Sequence, residues 1–288
     1  AAGIVLAAGA LAACSSGGHP PHAAKAAAAG PQQIIPAPKG LRAAAQPQTN
    51  GTMWALAGDQ KVMALFDFSL TGGTQHLIGS RPVSNSARSV AESLSGVLGV
   101  ALGTPHSGAL ELLDGATGTV KRTIPLGAPA RQVVVGSDGS TFYVLNGNSR
   151  SASVTVVNSG NDKLLGTVPV PLDTVSIAPA LQQSTIYALQ PDGTVSQIAT
   201  AGGQVQSSFT TGASARSLAL SPDGSTLYVL KGDPNASNIA VVNTATQAIT
   251  KVLPAPANSK QILISANGHQ LYQMAGTAGY GNIQVTAS

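Results

Sequence analysis

Arg42, Arg88, Arg131, Asp173, Arg216 and Lys260 occupy one slot that recurs every 42 to 46 residues, and five of the six are cations. The chain has only fifteen Lys and Arg in 288 residues, so five in a single slot are a concentration. Guanidinium forks gathered at one opening would hold a carboxylate or phosphate through paired, charge-assisted hydrogen bonds. A low-dielectric funnel would focus their field further. The competing role is structural: each Arg reaches the neighbouring repeat and donates to carbonyls there, with Asp173 pairing one of them.

Other chemistry is sparse. Nine of the eleven acids are Asp, and Asp138, Asp192 and Asp223 fall in turn-like stretches, where the carboxylate serves the backbone. Glu92 and Glu111 are the only glutamates. An enzyme of the lactone-hydrolysing kind would bring acids from several repeats to the pore, and only Glu92 and Asp173 fall near it. His76, His106 and His269 occupy unrelated phases, so they read as single polar residues. No phosphate-binding glycine loop, G-x-S-x-G elbow or H-E-x-x-H motif occurs. Neither a catalytic residue, a metal nor a cofactor is assigned. One cysteine excludes an internal disulfide. The net charge of +4 makes the pI of 9.3 look more basic than the chain is, and nucleic acid is not an expected partner.

These residues need a scaffold that repeats with them. Ala130 to Pro171 (ARQVVVGSDGSTFYVLNGNSRSASVTVVNSGNDKLLGTVPVP) matches Ala215 to Pro256 (ARSLALSPDGSTLYVLKGDPNASNIAVVNTATQAITKVLPAP) almost without gaps. Each reads as four short apolar runs separated by Gly-containing or polar turns, which is a strand and hairpin pattern. Four strands in about 43 residues is the spacing of a propeller blade. An aromatic slot in the second strand supports the period: Trp54, Gly99, Tyr143, Tyr187, Tyr228 and Tyr272. So does a turn slot holding Asn50-Gly51, Ser95-Gly96, Asp138-Gly139, Gln182-Gln183, Asp223-Gly224 and Asn267-Gly268. Gly at the second position suggests type I′ turns. Both slots count six repeats. The aromatic slot reads as packing between blades. The runs VVV at 133–135, LAL at 218–220 and ILI at 262–264 fit strands buried on both faces.

STLYVLKG and STFYVLNG, with IAVVNTATQAITKVLPAP and VTVVNSGNDKLLGTVPVP after them, resemble the YVTN family of β-propeller repeats. The resemblance runs from Ile34 to Ser288. It implies an all-β propeller; many family members have seven blades, whereas six four-stranded blades are counted here. Related propellers include lactonases and surface-associated proteins. The final repeat has three runs, at Gln261–Ile264, Gln270–Met274 and Asn282–Val285, and lacks a fourth. Ile34-Ile35-Pro36-Ala37-Pro38 matches Val252-Leu253-Pro254-Ala255-Pro256, so Ile34–Ala37 is expected to supply the missing strand.

Residues 1–13 form an uncharged apolar run ending in small residues, like the core of a secretory signal clipped at its start. The run is too short to span a bilayer. Leu11-Ala12-Ala13-Cys14 resembles a bacterial lipobox, which implies a lipid on Cys14. Residues 14–32 have the composition of a tether, with His19 and His22 as polar filler. The propeller domain is assigned to 33–288. Three functions follow in order: a monomeric, lipid-anchored, extracytoplasmic binding module for an envelope protein or small anion; a lactone hydrolase; an architectural envelope protein. The second-to-third-strand loops Gly103–Gly108, Gly147–Ser153, Gly232–Asn238 and Gly276–Gly281 differ most and would carry a binding site.

Overall fold

The computed structural model describes residues 33–46, 52–58, 63–69, 76–148, 150–181, 184–277 and 280–288. Cys14, His19, His22, Asn50-Gly51 and Gln182-Gln183 lie outside these. The chain is all-β. Strand β1 (Gln33–Ala37) comes first and is followed by a first sheet of β2 (Ala43–Ala44), β3 (Thr52–Gly58), β4 (Met63–Ser69) and β5 (His76–Val83). The second has β6 (Ala87–Glu92), β7 (Val97–Gly103), β8 (Gly108–Asp114) and β9 (Val120–Leu126). The third has β10 (Ala130–Val135), β11 (Thr141–Gly147), β12 (Ala152–Asn158) and β13 (Lys163–Pro169). The fourth has β14 (Ser176–Pro179), β15 (Thr185–Leu189), β16 (Thr194–Ala199) and β17 (Val205–Thr210). The fifth has β18 (Ala215–Leu220), β19 (Thr226–Gly232), β20 (Ser237–Asn243) and β21 (Ile249–Ala255). The last has β22 (Ser259–Ile264), β23 (Gln270–Thr277) and β24 (Tyr280–Ala287). Every sheet is an antiparallel meander whose first strand contacts the first strands of its neighbours, and β22 returns to β2. This is a β-propeller around a central channel. The inner strand β2 is only two residues long, the shortest of the set.

β1 pairs antiparallel with β24, Ile34 opposite Gln284 and Ala37 opposite Gly281. The sheet order β1-β24-β23-β22 thus joins the described N-terminal end to the C-terminal end. Pro36 is tolerated because β1 is an edge strand, where a missing N–H can face outward.

Apolar packing lies between sheets, one cluster at each seam. Trp54 meets Val90 and Leu98 of the second sheet. Tyr143 meets Ile177 and Ile186 of the fourth, and Tyr187 meets Leu218 and Leu227 of the fifth. Tyr228 packs with Ile262 and Leu271, and Tyr272 packs with Ala44 and Met53 across the closing seam. The aromatic slot is core packing, as its phase indicates. Burial holds the Tyr143 phenol up at about 12. Gly99 is the exception, and its reason is on the facing sheet. A Cβ there would lie 3.2 Å from the ring of Phe142, which fills the space from the other side.

The turn slot departs from type I′. Gly96, Gly139, Gly224 and Gly268 have φ of 75°, 65°, 74° and 76°, but Ser95, Asp138, Asp223 and Asn267 do not share the positive φ. Instead the glycine N–H donates to the residue three before it, as from Gly139 to Gly136 and from Gly224 to Ser221. The hairpin is then completed by the preceding side chain. Asp138 accepts from the N–H of Ser140 and of Thr141, and Asp223 accepts from the N–H of Ser225. A longer loop with one left-handed Gly replaces the two-residue turn, because the carboxylate satisfies N–H groups that a tight turn would pair directly.

Two outcomes follow. Removing Gln33–Ala37 leaves β24 as a bare edge and deletes a five-residue ladder. At about 1 kcal/mol per hydrogen bond, that is roughly 3–5 kcal/mol, a fall in Tm of about 10 °C. A truncated protein that melts like the intact one would refute the closing role. The second concerns Asp223, whose carboxyl is held down to about 2 by donation from Ser221 and Ser225. Its folded pKa lies below its unfolded one, so its stabilisation is present above about 3.9 and is lost as pH falls toward 2. Asp223→Asn should therefore lower Tm at pH 6, with the gap to wild type closing by pH 2. Parallel melting curves across that range check it.

Candidate functional site

The six inner strands all run the same way through the channel, so their first residues share one end and their last residues share the other. Arg42, Arg88, Arg131, Asp173, Arg216 and Lys260 lie at the starting end. Local structure explains how four of the cations are aimed. Arg88, Arg131, Arg216 and Lys260 each sit at a register shift, the residue before and the residue after being paired while the cation is the extra one. A bulge of this kind re-aims its side chain and is common beside functional sites. The preceding residue is small and buried in each case: Ala87, Ala130, Ala215 or Ser259. The cations themselves are exposed, apart from the half-buried Arg42.

The loops joining second and third strands lie at this same end. Gly103 N–H donates to Ser86 O, Gly147 N–H to Pro129 O and Gly232 N–H to Ser214 O, each acceptor standing two residues before a cation. A Cβ on Gly103 would be 2.3 Å from Ala130 O, so this close approach requires glycine.

The ring is not uniform. Arg131 shares a cavity of about 400 Å³ with Asp173, Asp192 and Gln190. Arg216 Nε donates to Gly232 O in its own sheet at 2.8 Å, not across a seam, and its charge helps hold the Asp233 carboxyl below the usual range after two backbone N–H donors. Arg42 and Lys260 are neighbours of like charge: burial first, then Arg42, pulls the Lys260 ammonium pKa down. Among the described residues neither forms a salt bridge, and neither does Arg88. The starting end thus has a mixed sector beside Asp173, Asp192 and Asp233, and a cationic sector formed by Lys260, Arg42 and Arg88.

Immediately inside the cations is a feature that the sequence reading passed over. Ser89, Gln132, Ser217 and Gln261 each directly follow a cation and bridge to the next inner strand. Val133 N–H donates to Ser89 Oγ at 3.2 Å, Ile177 N–H to Gln132 Oε1 at 2.8 Å, and Ile262 N–H to Ser217 Oγ at 3.2 Å. Ala44 N–H donates to Gln261 Oε1 at 3.0 Å. In the fourth sheet Ser176 takes the role, accepting from Leu218 N–H at 3.2 Å and from Gln132 Nε2 at 3.3 Å. The signal was available: a polar residue opens an apolar run in five of the six repeats.

Beyond this collar the channel widens into a cavity of about 340 Å³, lined by inner-strand residues such as Val134, Ile177, Leu220 and Ile264. It reaches the opposite end between the first-to-second-strand turns, where Leu94 and Leu181 stand exposed.

The acids do not converge. Glu92 is buried at the last residue of β6, at the far end of the inner strands from Asp173. Glu111 lies on β8, where burial raises its carboxyl pKa. His106 and His269 are exposed, and the side chain of His76 is outside the described residues. No three His, Cys, Asp or Glu side chains cluster among the described residues.

No protein-family model matches the chain, and no curated protein does either. Solved structures do: 1615 chains match. One of them, Kuenenia stuttgartiensis hydrazine synthase, superposes with a TM-score of 0.65 over 86% of this chain and 83% of that one, at 13% identity. At that identity the likeness is one of fold: the chain shares an all-β propeller architecture with it.

Proposed function

We propose that this chain is a six-bladed propeller of the YVTN type, acting as a binding module on the outer face of a membrane and held there by a lipid on Cys14. Its ligand is a small anion, or an acidic group on an envelope protein, received at the cationic sector of Arg42, Lys260 and Arg88. The observation that carries this is the sector itself: two cations close enough to oppose each other's charge, beside a third, none of them in a salt bridge among the described residues. Keeping like charges together opposes folding unless an anion joins them. The bulges at Arg88 and Lys260 support the reading, since a bulge re-aims its side chain.

Inorganic phosphate and succinate serve as probes in calorimetry at low ionic strength. Each charge-assisted hydrogen bond is worth about 1.5–3 kcal/mol, so Arg42→Gln with Lys260→Gln should weaken binding by tenfold or more. Arg131→Gln should weaken it less, because Asp173 and Asp192 already stand beside that cation. Affinity should fall as pH rises, beginning below the usual lysine range because the Lys260 pKa is lowered. Absence of salt-sensitive binding to the wild type would end the proposal.

For the anchor, Cys14→Ala should move the protein from the membrane fraction to the soluble one. Lipid labelling that persists in this variant would contradict the assignment.

A further inference from the structure

We infer that the apolar bore of the channel is a second binding site, open at the end opposite the cations, and that it takes a hydrocarbon chain along its length. It stands apart from the anion site and does not depend on it.

Three observations carry the inference. The first is chemical. The bore is walled by Val134, Ile177, Leu218, Leu220, Ile262 and Ile264, and among the described residues no charged one lines it. The polar side chains on its wall are already engaged. Gln132 uses its amide oxygen on Ile177 N–H and its nitrogen on Ser176. Ser137 donates to Leu181 O at 2.6 Å, and Ser221 donates to Asp223. The exposed wall is more apolar than polar, so it favours an apolar guest.

The second is dimensional. The cavity follows the inner strands from Gln132 past Val135 into the turn at Gly136. At about 3.3 Å per residue, that is a length of roughly 15 Å. A volume of about 340 Å³ spread over that length makes the bore longer than it is wide, a shape that takes an extended chain lengthwise. The volume lies at the low end of ligand pockets.

The third is the rim. The turns there overlap like the leaves of a shutter. Leu94 lies over Gly139, Leu181 over Gly224, and Pro222 over Gly268. Leu94 and Leu181 remain 59% and 48% exposed, although turn tips are ordinarily polar. Large apolar side chains left at the mouth of an apolar bore extend its wall to the surface, where a chain can enter.

The test is calorimetric titration of the intact protein with primary alcohols from hexanol to tetradecanol. Affinity should rise by roughly fourfold per methylene until the bore is full, and then level off. Leu220→Trp, which plugs the bore, should reduce decanol affinity at least tenfold. Leu94→Ser with Leu181→Ser changes only exposed side chains and should reduce it several-fold while melting as wild type. Should the plugged variant fail to fold, the rim variant decides, and unchanged affinity there overturns the proposal. So does the absence of any chain-length dependence. The Arg42→Gln, Lys260→Gln protein should bind decanol like wild type; a parallel loss would place the chain at the cationic end and refute the site.

Discussion

The structure depends on satisfying the innermost edge of each sheet. A four-stranded meander has two edges, and in a propeller the inner one faces a channel shared with its neighbours. Its N–H groups have no ladder partner on that side, and orphaned backbone donors in a narrow apolar bore would be costly. Ser89, Gln132, Ser176, Ser217 and Gln261 meet this need by reaching to the next inner strand. The bonds are directional and pass from each sheet to the following one, so the collar fixes angle and order around the axis, while the apolar seams supply bulk cohesion. The seam from β2 to β6 is the exception: Ala43 holds the collar slot there, and β2 is the shortest inner strand.

Much of this was legible because the repeat is a physical unit. A period near 44 residues brings the same slot of every repeat to the same radius and height. The Tyr residues could therefore be assigned to seams before any packing was visible. Gly99 shows why a single slot misleads: the seam needs a given volume, and either wall can provide it, here Phe142. Ile34–Ala37 was readable as the missing outer strand because it repeats the pattern of Val252–Ala255, which occupies the outer strand of the fifth sheet.

What the sequence concealed is equally physical. Asp-Gly and Asn-Gly suggest a two-residue turn, but Asp138 and Asp223 use their carboxylates on backbone N–H groups and widen the loop. Periodicity located the cations but could not reveal their neighbours. Asp192 and Asp233 come from the second-to-third-strand turns and fall outside the cation slot, so the ring looked uniform until these turns were placed beside Arg131 and Arg216. The collar was missed because Ser and Gln beside Arg or Lys read as solvent-facing residues. The apolar rim was missed because Leu94 and Leu181, each standing just before the turn slot, share that position with Ser137, Pro222 and Ala266 and so show no repeated residue type.

The pairing of β1 with β24 also bears on how the molecule is made. Gln33 lies opposite Val285, so this ladder spans almost the whole described chain. Contacts of such sequence separation form slowly, since a loop of that length must close before they contribute. As the chain is synthesised, β1 emerges before the five sheets that follow it, and β24 after them. Those sheets can stack in order on their own local hairpins, each adding a seam to the one before. The circle stays open through all of that time, with the flank of the first sheet and an unclaimed strand both awaiting β24. Closure is thus a single late event, and until it happens the exposed flank is the place where a second chain could intrude.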